Sequence, residues 1–222
     1  SYSGGRLFNE YIEIPATLKL VGTPIPNASV LDIGCGIGSY SFYFGELGCN
    51  VTGIDISKKM IDICKSKCKN LPNVSFIKSS FGEFDETKKF DIIIGGFMLG
   101  YFDNLEKTFK KIETCLNEDG IAILSMLHPV RLSSTKRTLF SYEIENYFDE
   151  KYYKTDLNMD FGEIELRKWN IEDIFQNLIH TDMYVDQIRE PIPVNLTTKK
   201  IRNEARFYLK NPSVIVFKLK RK

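Results

Sequence analysis

Three glycines on alternate positions, Gly34, Gly36 and Gly38, follow a short and mostly apolar run that begins at Val30. The next such run ends at Asp55, in the string NVTGID. Glycine lets the backbone approach a ligand closely, and a carboxylate at a strand end can accept hydrogen bonds from both hydroxyls of a ribose. The types and spacing of these residues therefore indicate a loop that binds a ligand.

A dinucleotide is the first such ligand to consider, because its fingerprint is G-x-G-x-x-G/A after a strand. Here the glycines follow the pattern G-x-G-x-G, and Ser39 stands where the third small residue belongs. Asp32, two residues before the first glycine, would repel a pyrophosphate but would attract an ammonium group. The pattern therefore favours a ligand with an amino group, and an NAD-dependent oxidoreductase is the alternative.

The longer string VLDIGCGIGSYSFYFGELGCNVTGIDIS resembles motif I and the following strand of the class I S-adenosylmethionine-dependent methyltransferases. The resemblance covers residues 28–130, and the HP after the fifth predicted strand and the later EPIP are similar to the small-molecule members. It implies an α/β, Rossmann-like doubly wound sheet of seven strands in the order 3-2-1-4-5-7-6, the last antiparallel. It also implies S-adenosyl-L-methionine as cofactor. A non-catalytic relative with the same fold is a further alternative.

The same resemblance implies which residues meet the cofactor. Asp32 would attract the ammonium group, Asp55 would bind the ribose, and Ile56 would lie against the adenine. Phe81 and Phe97 could instead be core residues. The full predicted set is Tyr11, Asp32, Gly34, Cys35, Gly36, Gly38, Asp55, Ile56, Ser80, Phe81, Gly96 and Phe97.

Two residues are predicted to serve the methyl acceptor. His128 follows the fifth predicted strand, GIAILSML, and a histidine at the carboxyl end of a parallel strand can accept a proton near neutral pH. Alternatively, the HP pair only ends the strand, with the ring bonded to the backbone. Tyr101, after the fourth strand, is the second candidate. A base is not obligatory, because in-line methyl transfer gains much of its acceleration from positioning.

Buried strands alternate with amphipathic helices from Val30 onward, which predicts a parallel core covered on both faces. We divide the chain into a helical N-terminal lid (1–29), the cofactor-binding core (30–130), an acceptor-pocket insertion (131–168), and a C-terminal part that completes the same domain (169–222). Residues 1–29 could instead form a helix that packs on the edge of the sheet. The insertion's tyrosines and carboxylates suit a cationic or amine-bearing acceptor, unless the segment is a solvated polar loop. These carboxylates are Glu143, Glu145, Asp149, Asp160 and Glu163.

Composition limits the partners. The 222 residues carry a formal charge of +1, which offers no general attraction for nucleic acid. The fourth strand ends in GGFMLGYF and lacks N/D-P-P-Y/F, the string that marks amino methylation of bases or glutamine in the superfamily that this chain resembles. We therefore expect a small-molecule acceptor and no nucleic acid. No apolar run reaches membrane-spanning length and no leader opens the sequence, so we expect no membrane partner, a cytoplasmic location, and a monomer or homodimer. The odd number of cysteines, five, indicates reduced core thiols and no metal site.

Overall fold

The structure, a computed structural model, describes residues 7–85, 87–137, 141–145, 147–148, 152–156 and 163–222. Parts of the predicted acceptor insertion, including Asp149 and Asp160, lie outside these ranges. Among the residues that the structure describes, no helix is long and apolar enough to cross a membrane.

The strands are, in chain order, β1 (Ser29–Ile33), β2 (Asn50–Asp55), β3 (Val74–Lys78), β4 (Phe90–Gly95), β5 (Leu116–Leu127), β6 (Ser134–Arg137), β7 (Tyr142–Ile144), β8 (Tyr152–Asp156), β9 (Glu163–Arg167), β10 (Met183–Arg189) and β11 (Val214–Arg221). Seven of them form one sheet in the order β3-β2-β1-β4-β5-β11-β10. β11 is antiparallel to both of its neighbours, β5 and β10. The predicted order 3-2-1-4-5-7-6, with an antiparallel last strand, is therefore confirmed.

The helices are α1 (Ile14–Val21), α2 (Ser39–Glu46), α3 (Lys58–Lys67), α4 (Leu105–Cys115), α5 (Pro129–Leu132), α6 (Ile171–Leu178) and α7 (Lys199–Ala205). A π-helical turn, Asn9–Glu13, leads directly into α1, and a 3₁₀ turn, Leu99–Tyr101, follows β4. Ser57 and Asn104 cap α3 and α4 by accepting hydrogen bonds from the backbone N–H of the third helical residue.

Both faces of the sheet are covered, as the continuous apolar strands predict. On β1, Leu31 and Ile33 belong to a core cluster that includes residues of α4 and α6, whereas Val30 belongs to another that includes Phe44 of α2. This alternation places helices on opposite faces of the sheet. The carboxyl ends of β1, β2, β4 and β5 are thereby left at one edge, where ligands bind in open α/β sheets.

The N-terminal helical segment packs against the sheet. Leu7, Ile12, Ala16 and Leu20 form a core cluster with Ile123 of β5 and Val216 of β11. Lys218 of β11 donates a hydrogen bond to the carbonyl of Leu20 at 3.0 Å. The described part of the segment, from residue 7 onward, therefore contributes its own side chains to the interior, and its role as a lid over the cofactor stays a prediction.

One feature differs from the sequence-based expectation. The fifth strand is predicted to begin at Gly120, in GIAILSML, but β5 begins at Leu116, which pairs with Phe90 of β4. Within the predicted insertion, β6 pairs with β7 and β8 pairs with β9, as two separate antiparallel hairpins. Cys64 and Cys68 are buried free thiols, as expected for core residues.

Candidate active site

The glycine loop joins β1 to α2 at the carboxyl edge of the sheet. Gly34, Gly36 and Gly38 have φ values of 65°, 53° and 72°, a left-handed region that L-residues with a side chain rarely adopt. A Cβ on Gly34 would lie 2.2 Å from Met98 Sδ, and one on Gly38 would lie 2.9 Å from Cys64 Sγ. A Cβ on Gly36 would meet only the Gly34 carbonyl oxygen, at 3.9 Å. The outer glycines therefore permit packing, and the middle one borders open space.

Asp55 lies beside this loop, at the end of β2. Its Oδ2 accepts a hydrogen bond from the Gly36 backbone N–H at 3.0 Å, and its Oδ1 accepts one from the Ser57 N–H at 2.8 Å. These two bonds fix the carboxylate at the mouth of the loop, and each oxygen retains a second lone pair for a ligand. The next residue, Ile56, is 69% exposed and offers an apolar surface. The two side chains thus suit the ribose and adenine of a nucleoside.

Asp32 lies beneath the loop rather than in the open cleft. It is 1% exposed, and its Oδ2 accepts hydrogen bonds from the Ser41 hydroxyl at 2.6 Å and the Ser41 N–H at 3.1 Å. Burial raises the pKa of Asp32 to about 6, although the bonds from Ser41 oppose this and nearby Glu13 and Asp55 add to it. A positive group bound above the loop would stabilise the ionised form of Asp32.

We expect Asp32→Asn to change how stability depends on pH. The pKa of Asp32 in the folded protein, about 6, lies above the ordinary 3.8. The free energy of unfolding therefore falls as pH rises from 3.8 to about 6, because the buried carboxyl must ionise. From pH 4 to pH 7 the native protein should lose up to about 3 kcal/mol of unfolding free energy relative to the amide variant. Urea denaturation at the two pH values measures this. Parallel stability profiles would show that Asp32 has an ordinary pKa.

The end of β4 is held by a buried polar network. The Phe97 N–H donates to Ser125 Oγ at 2.7 Å, and the Ser125 hydroxyl donates to Glu13 Oε1 at 2.7 Å. Glu13 also accepts from Thr17 at 3.0 Å and from the Tyr40 hydroxyl at 2.6 Å. The network fixes Phe97 at a φ of 57°, a rare conformation for a residue of this size. Strained backbone of this kind concentrates at functional sites.

Glu13 is the residue of this network that the sequence analysis missed. It is 1% exposed, and burial raises its pKa even though the three hydroxyls act in the opposite direction. A Cβ on Gly96 would lie 3.0 Å from a ring carbon of Tyr40 and 3.3 Å from Glu13 Oε1, so Gly96 must be small for the network to reach the strand end. The sequence held one indication that the Glu13 side chain is bonded within the protein. Glu13 follows the apolar Ile12, and Thr17 lies one helical turn later, where its hydroxyl can reach the carboxylate.

Three other predicted cofactor residues differ in burial. Ser80 donates a hydrogen bond to Glu83 at 2.8 Å in an exposed turn, and the Phe81 ring is buried and packs on Phe102. The Phe81 side chain is therefore part of the core, which is the alternative given for it. Tyr11 is half-buried, and its carbonyl accepts from the Val194 N–H at 2.8 Å.

Cys35 is also buried, within the glycine loop. Its Sγ lies 3.8 Å from Cys64 Sγ, and its N–H donates to the Ile54 carbonyl at 2.9 Å. The contact with Cys64, together with burial, raises the pKa of the Cys35 thiol, so it is an unreactive packing group. Within the ranges that the structure covers, no three His, Cys, Asp or Glu side chains are grouped to hold a metal ion.

The structure favours the alternative role for His128. The ring is 3% exposed, its Nδ1 accepts the Val130 N–H at 3.2 Å, and its Nε2 lies 2.7 Å from Glu190 Oε1. With Nδ1 accepting, Nε2 carries the proton of the neutral ring and donates it to Glu190. Burial lowers the pKa of His128, against the effect of Glu190. Both ring nitrogens are thus engaged, and the geometry argues against the general base predicted for His128.

We expect His128→Ala to reduce stability rather than cofactor affinity. The substitution removes the cap of α5 and leaves a cavity beside β5, which together should cost about 2 kcal/mol or more of unfolding free energy. His180, the other histidine, is exposed, so His180→Ala is the matched control. Urea denaturation and calorimetry with S-adenosylhomocysteine measure the two quantities. Native stability with turnover reduced a hundredfold would restore the catalytic base.

Tyr101 stands at the opening of the cleft, in the 3₁₀ turn after β4. Its side chain is 44% exposed, and burial of the hydroxyl, followed by the charge of Asp55, raises its pKa. The hydroxyl therefore stays protonated near neutral pH and lies within electrostatic reach of Asp55. Tyr101 is placed to donate a hydrogen bond to a ligand but not to remove a proton from one.

Comparison with known proteins identifies the family. A family model described as a methyltransferase domain matches residues 25–177. The ubiquinone biosynthesis O-methyltransferase of Pelagibacter ubique is 32% identical over 124 residues, which are 55% of this chain and 52% of that protein. The chain spans about half the length of the curated relatives it matches.

Solved structures agree on the fold. An S-adenosylmethionine-dependent methyltransferase from Mesorhizobium loti has a TM-score of 0.80 at 19% identity, covering 94% of this chain and 97% of that one. The 1,6-didemethyltoxoflavin-N1-methyltransferase of Burkholderia thailandensis, solved with S-adenosylhomocysteine, has a TM-score of 0.65 at 16% identity, covering 100% of this chain and 84% of that one. The chain therefore belongs to the methyltransferase-domain family and has the fold of the class I S-adenosylmethionine-dependent methyltransferases.

Proposed function

We propose that this protein catalyses transfer of a methyl group from S-adenosylmethionine to a small-molecule acceptor. The observation that carries the proposal is the arrangement at the carboxyl edge, where Gly36 borders open space beside the fixed carboxylate of Asp55 and the exposed Ile56. The bound cofactor would supply a methyl group activated by the sulfonium. The family match over residues 25–177 supports the same reaction.

The chain's own residues would then divide the work of binding. Asp55 accepts hydrogen bonds from the ribose hydroxyls, and Ile56 covers one face of the adenine. Asp32, ionised above about pH 6, supplies negative charge beneath the ammonium group. Gly96 and Phe97, held by Ser125 and Glu13, form the opposite wall. A base is not required, because positioning alone can contribute several kcal/mol to a displacement.

The proposed acceptor is a small molecule rather than a nucleic acid, and we propose no membrane partner. The curated relative cited above is named for the biosynthesis of a small molecule, ubiquinone, and the formal charge of +1 offers no general attraction for polyanions. We also propose a cytoplasmic location and a monomeric or homodimeric state. The five free, buried cysteines support a reducing compartment.

Thermal unfolding with competing ligands tests the proposal. A ligand that binds only the folded protein raises the unfolding midpoint, by an amount that grows with its concentration over Kd. We expect S-adenosylhomocysteine to raise the midpoint by several degrees and NAD at the same concentration to leave it unchanged. A shift with NAD alone would instead support the oxidoreductase. No shift with either ligand would contradict the methyltransferase proposal.

A further inference from the structure

We propose that the methyl acceptor carries an anionic group and that the guanidinium of Arg131 binds it. The inference rests on the proposed methyl transfer and adds the charge class of the acceptor. It starts from a cation in α5, the short helix that follows β5 at the carboxyl edge of the sheet.

Aromatic side chains hold the Arg131 guanidinium in place. Its central carbon lies 4.2 Å from the centre of the Phe8 ring and 5.7 Å from that of Tyr208. Its Nη1 donates to the Tyr208 hydroxyl at 3.3 Å. A guanidinium stacked on rings is positioned without losing its charge, and it keeps most of its donors available. Arg131 is thus a half-buried and oriented cation.

The position of Arg131 in the chain places this cation at the carboxyl edge of the sheet, because α5 begins directly after β5 ends. The turn after β4 lies at the same edge, and a Cβ on Gly100 in that turn would lie 3.6 Å from the Tyr153 hydroxyl. Burial, and then the neighbouring Tyr101, raise the pKa of Tyr153, while the positive charge of Arg131 acts in the opposite direction. Arg131 and Tyr153 thus both belong to the edge at which the proposed cofactor would bind.

No carboxylate of the described residues forms an ion pair with Arg131, in contrast to several surface lysines. Lys58 pairs with Asp62 at 2.7 Å, Lys110 with Glu106 at 2.6 Å, and Lys136 with Glu143 at 3.7 Å. A partly buried guanidinium with unused donors gains most from a ligand that brings a carboxylate or a similar planar anion.

The proposed anionic acceptor differs from the cationic or amine-bearing acceptor that the carboxylates of the insertion suggest. Of these carboxylates, Glu143 is exposed and pairs with Lys136, and Glu145 is exposed. Arg131, by contrast, is half-buried and forms no ion pair with a carboxylate of the described residues.

Matched ligand pairs test this inference once S-adenosylhomocysteine is shown to bind. With that ligand saturating, calorimetry compares benzoate with benzamide, 4-hydroxybenzoate with 4-hydroxybenzamide, and succinate with succinamide. We expect at least one carboxylate to bind about tenfold more tightly than its amide. Arg131→Gln should abolish that preference, and Arg202→Gln, on the exposed surface of α7, should retain it.

The outcomes separate the two proposals. If S-adenosylhomocysteine itself fails to bind, the methyltransferase proposal fails. If it binds but every amide equals or exceeds its carboxylate, or neither member of any pair binds, the anionic acceptor is wrong while the methyltransferase proposal stands. A carboxylate preference that survives in Arg131→Gln would assign anion binding to another residue. Unchanged binding of S-adenosylhomocysteine by Arg131→Gln serves as the check that this variant is folded.

Discussion

Replacing Asp55 by alanine should lower the affinity for S-adenosylhomocysteine roughly ten- to several-hundredfold. The ribose would lose the two charge-assisted hydrogen bonds that we assign to the Asp55 carboxylate. The substitution would also remove the hydrogen bond that the Gly36 N–H donates to Asp55 Oδ2 at 3.0 Å. The glycine loop would then be held less firmly in the conformation that binds the ligand. Calorimetric titration measures the change.

The matched control is Asp62→Ala. Asp62 lies on the exposed surface of α3, one helical turn beyond Lys58, with which it pairs at 2.7 Å. Its removal also deletes one negative charge near the site but leaves the cleft intact, so affinity should stay within about twofold of the native value. Equal affinities for the native protein and Asp55→Ala would remove Asp55 from the binding site.

The second large effect is expected from Gly36→Ala. The added methyl group would lie in the open space that we assign to the cofactor, because its nearest protein atom is the Gly34 carbonyl oxygen at 3.9 Å. The methyl group would keep the backbone of the glycine loop from approaching the ligand closely, and affinity for S-adenosylhomocysteine should fall at least about tenfold. The left-handed φ of 53° adds about 1–2 kcal/mol of strain to the folded state.

Gly48→Ala separates strain from blocked binding. Gly48 has a φ of 79°, and a Cβ there would meet only Pro26 Cβ, at 3.9 Å, in a turn away from the cleft. Both variants should therefore lose similar stability in urea denaturation, while only Gly36→Ala loses affinity. If both bind S-adenosylhomocysteine like the native protein, the space beside Gly36 is not the cofactor site.

The sequence predicted the parts of the fold that depend on local pattern. The apolar runs ending at Ile33, Asp55 and Gly95 became parallel strands, and the periodicity of Leu105 and Phe109 became a core-facing helix. The strand order came from the family resemblance, because no local pattern specifies which strands pair. The early start of β5 at Leu116 was missed since it depends on pairing with Phe90, a partner distant in sequence.

The candidate site could be proposed from the sequence where one short string contains it, and it was missed where distant residues meet. The glycines, Asp55 and Ile56 fall within one strand-loop-helix-strand unit, so the family resemblance of that single string implies their roles, which stay predictions. Glu13 accepts hydrogen bonds from Tyr40 and Ser125, which are 27 and 112 residues away in the sequence. No periodicity of the sequence predicts such a network. His128 was assigned to catalysis from its strand end, but its burial and its bond to Glu190 emerge only from the tertiary fold.

A crystal structure of the protein with S-adenosylhomocysteine tests the central claim most directly. The account predicts both ribose hydroxyls within hydrogen-bonding distance of the Asp55 carboxylate, with the amino-acid end between the glycine loop and Gly96. It also predicts the sulfur facing the space between Tyr101 and Arg131. A ligand bound elsewhere, or bound in this cleft with its ribose away from Asp55, would contradict the assignment of this edge of the sheet as a methyltransferase site.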